Sequence, residues 1–161
     1  MKYKTVCISA ALCFLSVLGM VLSLALTGKK AAPAAFAKPP FEMAAQSGTP
    51  DTADESWTQV YKDGMSFSAH LCGKVILNGN TADVCFANDG GNAVWLKLRV
   101  LDEKNRTLAE TGLLKPNEYV RTVTFDTVPE NGEKIKLKIM AYEPDTYYSA
   151  GAVTLNTTVG G

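Results

Sequence analysis

The sequence has no excess of charge: sixteen Lys and Arg stand against sixteen Asp and Glu. Proteins that hold nucleic acid by counterion release are usually clearly basic, so nucleic acid is not an expected partner. Histidine is nearly absent, with His70 alone. A zinc site takes three or four protein ligands, and with His70 and only Cys72 and Cys85 outside the apolar N-terminus it would need added carboxylates, so no metal is expected. No G-x-S-x-G elbow surrounds Ser66, Ser68 or Ser149, and no glycine-rich phosphate cradle follows a strand. The acids Asp126, Glu130 and Glu133 match no calcium loop and read as solvated turn residues. Neither cofactor nor catalytic residue is assigned, and the chain is not expected to be an enzyme. Glycine (13) and proline (7) are too few for a collagen or a low-complexity chain.

One stretch lacks charge altogether. Val6 to Leu26 (VCISAALCFLSVLGMVLSLAL) would reach about 31 Å as a helix, the thickness of a bilayer core. It is read as an uncleaved signal anchor and transmembrane helix over residues 1–27, because a cleaved signal has a shorter apolar region of about 7 to 15 residues. Ala35-Phe36-Ala37 supplies the alternative, cleavage after Ala37 and release of a secreted protein. Cys7 and Cys13 are small apolar residues of this run. Basic residues tie across the two flanks, and the short basic start (Lys2, Lys4) breaks the tie in favour of a C-terminal domain outside the cytoplasm.

Residues 28–55 hold four of the seven prolines and many alanines without apolar periodicity, so they read as a flexible linker. Residues 56–161 form the domain, and there the period is two. The expected strands are Met65 to Leu77 with a break near Gly73, Ala82 to Ala87, Ala93 to Leu101, Thr107 to Glu110, Tyr119 to Phe125, Lys134 to Tyr142 and Gly151 to Val159, with an edge strand near Trp57 to Tyr61. Turn formers such as Asn78-Gly79, Asn88-Asp89-Gly90-Gly91 and Asn131-Gly132 separate them. About seven short strands at near-regular spacing indicate an all-β, Ig-like antiparallel sandwich. The sequons at Asn105 and Asn156 matter only in a eukaryotic secretory route.

Alternation assigns faces. Val94, Leu96, Leu98 and Val100 point inward and Trp95, Lys97 and Arg99 outward; Ile135, Leu137, Ile139 and Ala141 oppose Lys134, Lys136, Lys138 and Tyr142. In an Ig-like order these two strands are neighbours, so five cations gather on one outer face bordered by Trp95 and Tyr142. Directly opposed like charges destabilise a sheet, so the alternatives are staggering with screening by Glu103 and Glu110, or an anionic partner: a surface polymer, a lipid headgroup or an acidic protein. If the patch is fully exposed, reversing Lys97 and Lys136 together should leave folding nearly intact. Tyr147-Tyr148 precedes the last strand as a contact tip or as packing over the sandwich end.

Cys72 and Cys85 flank Asn78-Gly79. A two-residue turn there pairs residues whose numbers sum to 157, sets Cys72 opposite Cys85 within disulfide reach and puts Lys74 opposite Asp83. A register summing to 159 keeps the same faces and breaks that opposition.

The stretches LKLRVLDEKNRTLAETGLLKPNEYVRTVTF, KIKLKIMAYEP and SAGAVTLNTTV resemble a group of small, N-terminally anchored proteins of Gram-positive anaerobes. In that group a hydrophobic leader and a Pro-rich tether carry one Ig-like or CARDB-like sandwich, with a phrase "sG-L-L-x-P-G" that stands here as Thr111 to Asn117. The resemblance implies an extracellular sandwich and carries over no catalytic residue. The combined expectation is a membrane-anchored binding or structural module of a cell-surface assembly. A pilin-like or conjugation-apparatus component is the first alternative, and a secreted enzyme or enzyme accessory subunit the second.

Overall fold

The computed structural model describes residues 36–52, 57–60 and 64–160. The expected span Val6 to Leu26 lies outside them. The chain divides into two compact units, Met1–Ala37 and Lys38–Gly161, and nearly all described residues belong to the second. No helix among them is long and apolar enough to cross a membrane.

The described residues of the second unit form ten strands: β1 (Gln46–Ser47), β2 (Trp57–Val60), β3 (Ala69–Cys72), β4 (Leu77–Asn78), β5 (Thr81–Asn88), β6 (Trp95–Asp102), β7 (Thr107–Glu110), β8 (Glu118–Thr124), β9 (Lys134–Tyr142) and β10 (Ser149–Thr158). They form two antiparallel sheets. The first runs β1-β8-β5-β3-β2, with β4 also on β5; the second runs β10-β9-β6-β7. Phe86, Leu71, Val84 and Val120 from the first sheet and Leu96, Leu98, Leu137 and Ile139 from the second share one core cluster. The period-two pattern is thus the cause of the layering, because each sheet has one apolar face and buries it on the other; each such side chain contributes about 2 kcal/mol by leaving water.

Three expectations are revised. Part of the supposed linker belongs to the fold. The Leu113 amide donates to the Pro40 carbonyl at 2.9 Å and the Glu42 amide to the Leu113 carbonyl at 3.0 Å, while Gln46 and Ser47 pair with Tyr119 and Glu118 of β8. This strap stays in place through backbone bonds and a clamp: the Gly112 amide donates to Glu42 Oε2 at 2.7 Å. It covers the Glu118–Tyr119 end of the free edge of β8, one of the ways in which an exposed sheet edge is blunted.

The second revision concerns the turn between β4 and β5. Leu77 pairs with Ala82 and Asn78 with Thr81, so the turn residues are Gly79-Asn80, with Gly79 at φ 64°. Yet β3 keeps the sum of 157, with Ala69 opposite Asn88 and His70 opposite Ala87.

The third follows from that mismatch. On the β8 side of β5 the register shifts between Asp83 and Phe86, and Cys85 takes φ 42°, the signature of a bulge that carries one extra residue. The ladder between β3 and β5 ends at His70, short of Cys72, while on its other edge β3 continues to pair with β2 as far as Cys72 opposite Trp57. Cys72 and Cys85 are buried thiols, and the expected disulfide is not made in this structure. The Cys85 carbonyl accepts a hydrogen bond from Trp57 Nε1 at 2.8 Å.

Candidate functional site

The strands expected to be neighbours are neighbours. β6 and β9 pair with Trp95 opposite Tyr142, Arg99 opposite Lys138 and Leu101 opposite Lys136. The outer face therefore carries all five predicted cations, with Trp95 and Tyr142 together at one end. On the far side of β9, Lys138, Lys136 and Lys134 stand opposite Thr154, Asn156 and Thr158 of β10.

The five cations divide into two groups. Lys97 and Arg99 converge on Glu110 of β7: Lys97 Nζ lies 2.8 Å from Oε1, and Arg99 donates through Nε to Oε2 at 2.9 Å. Lys97 is only 5% exposed. The expectation that it belongs to an open patch is thereby corrected, since Glu110 reaches across the sheet and covers it. Lys134, Lys136 and Lys138 form the second group, one row along β9. Lys134, with 74% of its side chain exposed, stands 4.0 Å from Glu103, too loose and too wet for a strong pair. Lys136 Nζ donates to the Glu103 carbonyl at 3.2 Å and to Asn105 Oδ1 at 2.8 Å. Between Glu103, Lys134, Lys136, Asn156 and Thr158 lies an open cleft of about 380 Å³.

The carboxylates that fix this face titrate low. Partial burial raises the Glu110 carboxyl, but the hydrogen bonds and charges of Lys97 and Arg99 outweigh it and hold the group below its ordinary 4.5. Desolvation likewise raises Asp102, and the Arg106 amide and guanidinium, at 2.7 and 2.6 Å, bring it below 3.8. A carboxyl depressed in the folded state stabilises the fold above its unfolded value, and that stabilisation is lost as pH falls through the folded one. The melting temperature of the full chain should therefore fall as pH drops from about 5 to below 3. Glu110→Gln should flatten part of that fall when melting is followed by circular dichroism, and a slope unchanged in this variant would remove Glu110 from the account.

The remaining candidates have structural employment. His70 stacks on Trp57 with ring centroids 4.9 Å apart. Tyr147, at φ 60°, packs edge-on to Trp95, which also meets Phe41 at 4.8 Å, while Tyr148 is 71% exposed. The Glu130 amide donates to Glu133 Oε2 at 2.9 Å, which caps the turn that holds those acids. Among the described residues no group of three metal-ligating side chains is placed to hold an ion.

Sequence reasoning missed Asn88. Read as a turn former, it is 2% exposed, and its Nδ2 donates to the Val94 and Leu114 carbonyls at 2.9 Å each. Its Oδ1 accepts from Asn92, so the side chain ties the two sheets together at one end. No protein-family model and no curated protein matches the chain.

Proposed function

We propose that the chain is a single-pass, membrane-anchored module whose domain stands outside the cytoplasm and acts by binding, or as a structural part of a cell-surface assembly, rather than by catalysis. The observation that carries the binding role is the row Lys134, Lys136 and Lys138. After Glu110 has taken Lys97 and Arg99, these three cations remain along one strand, and among the described residues the one ion pair of the row is the loose contact of Lys134 with Glu103. Such a surface excess attracts an anionic partner at range. The anchoring role rests on Val6 to Leu26 and its basic flanks.

The finer fold reading is Ig-like. With β3, β5 and β8 in one sheet and β6, β9 and β10 in the other, the strand order follows the Greek-key pattern of that class. β7 departs from the constant-domain arrangement by pairing with β6, and a bridge from Ala109 to Phe125 together with the Asp126 amide, which donates to the Leu108 carbonyl at 2.9 Å, keeps it in touch with the opposite layer.

Protease added to intact cells should remove the domain beyond Lys30 and leave a short membrane-retained fragment, read by immunoblot with tags at both ends. Protection of the domain until the membrane is broken would overturn the orientation. Recovery of a chain that begins at Lys38 would replace the anchor with a cleaved leader.

A further inference from the structure

We propose that the ligand of the β9 row is a linear polyol-phosphate chain laid along the strand, each lysine meeting one phosphate. The inference rests on the binding role just proposed and goes further by naming the ligand's chemistry and its repeat.

The spacing is the first reason. Lys134, Lys136 and Lys138 alternate on one strand, so neighbouring positions repeat about every 6.8 Å, two residues of about 3.4 Å each. A chain that carries one anion per repeat of that length meets each lysine of the row in turn. A three-carbon polyol phosphate has six backbone bonds per repeat. At the advance of an extended polypeptide, three bonds in about 3.5 Å, the repeat is about 7 Å. The two periods match without distortion of either chain.

The flanking residues are the second reason. Thr158, Asn156 and Thr154 stand opposite the three lysines in register, so each cation has a hydroxyl or amide beside it on β10. A ligand that alternates anion and polyol presents the matching alternation of charge and hydroxyl. Lysine suits it as a point charge that meets phosphate without demanding a planar fork. Lys136 holds two of its three protons on Glu103 and Asn105, so its ammonium is already positioned and one proton remains for a ligand. The cleft between Glu103, Lys134, Lys136, Asn156 and Thr158, about 380 Å³, accommodates the end of such a chain. Nucleic acid shares the six-bond repeat, but a single strand also takes its affinity from aromatic platforms beneath the bases. The aromatic residues of this face are confined to the Trp95 end, where Phe41 and Tyr147 pack against Trp95.

The test uses the full chain in nanodiscs of zwitterionic lipid and fluorescent glycerol phosphate oligomers of one, two, three and six repeats, read by anisotropy. Affinity should rise about tenfold with each phosphate to the third and then level off. At saturating length the logarithm of affinity should fall with the logarithm of salt at a slope near −2, from about −0.7 per phosphate on a flexible strand. The variant Lys134→Gln/Lys136→Gln/Lys138→Gln should bring that slope near zero, and its circular dichroism should show the wild-type fold. A variant with only Lys134→Gln, on a side chain 74% exposed, should keep the wild-type fold and lose about tenfold. A monomer that binds as well as the hexamer, or a thymidine oligonucleotide that matches it, overturns the linear polyol-phosphate. So does phosphatidylglycerol in the nanodisc if it competes as well as the hexamer, which would leave the anionic-partner reading standing with a headgroup as its source. Absence of binding to every one of these anions would remove both.

Discussion

Lys97→Glu is expected to lower the melting temperature of the full chain by on the order of 10 °C, a loss of about 3 kcal/mol. The wild-type ammonium lies 2.8 Å from a Glu110 oxygen, and 94% of the Lys97 side chain is out of solvent. A carboxylate there faces another carboxylate in a site with little water to screen the two. Removing one partner of a buried pair costs about 3 to 5 kcal/mol. The lower end applies, because Glu110 is 38% exposed and keeps Arg99. Lys97→Met retains the apolar stem and leaves Glu110 its second cation, so it should melt within about 5 °C of wild type. Equal melting of wild type and Lys97→Glu would mean that Lys97 is solvated. The result separates the two groups of cations, since Lys134→Glu, on a side chain 74% exposed, should change stability by less than about 0.5 kcal/mol.

Gly112→Ala should release the strap that crosses it. A Cβ built on Gly112 would lie 2.4 Å from the Glu42 nitrogen and 2.5 Å from its Cα, and both are backbone atoms that cannot rotate aside. Three hydrogen bonds hold the strap beside that point: Leu113 to Pro40, Glu42 to Leu113 and Gly112 to the Glu42 carboxylate. At about 1 kcal/mol each, their loss amounts to about 3 kcal/mol of local stability. The amides of Glu42 and Leu113 should then exchange with solvent about 100-fold faster, while amides in β9 hold their wild-type rates. Proteolysis between Lys38 and Gly48 should quicken in parallel. Unchanged exchange at Glu42 would show that the strap does not rest on Gly112.

Where alternation was strict, the sequence was sufficient. β9 has the expected bounds, Lys134 to Tyr142, because Ile135, Leu137, Ile139 and Ala141 alternate with Lys134, Lys136, Lys138 and Tyr142, a pattern that Met140 alone interrupts. The pairing of β6 with β9, and with it the gathering of five cations, followed from the strand order. The turn at Asn78-Gly79 shifted by one residue because Gly79 and Asn80 both tolerate left-handed backbone and nothing in the faces distinguishes the registers. The bulge was hidden for a related reason. Ala82, Val84 and Phe86 alternate regularly, and a positive φ at a cysteine leaves no mark of the kind that Gly or Asn leaves. The strap eluded pattern reading altogether, since most of its bonds come from main-chain atoms that any residue supplies and its clamp joins Glu42 to a glycine seventy residues away. Burial of Lys97 depends on a carboxylate thirteen residues away, and only the three-dimensional register of β6 with β7 brings it there.

The strap also decides where a mechanical load enters the domain. A pull on the chain at Lys38 reaches the sheets first through Pro40, Glu42 and Leu113, and these few bonds open one after another, like a zip, because each lies further along the peeling chain. The long ladders between β9, β10 and β6 are spared until the strap is gone. Lys38 to Gly48 would then pay out up to about 35 Å of extended chain. The same eleven residues that seal an edge at rest would thus lengthen under tension while the rest of the domain keeps its fold.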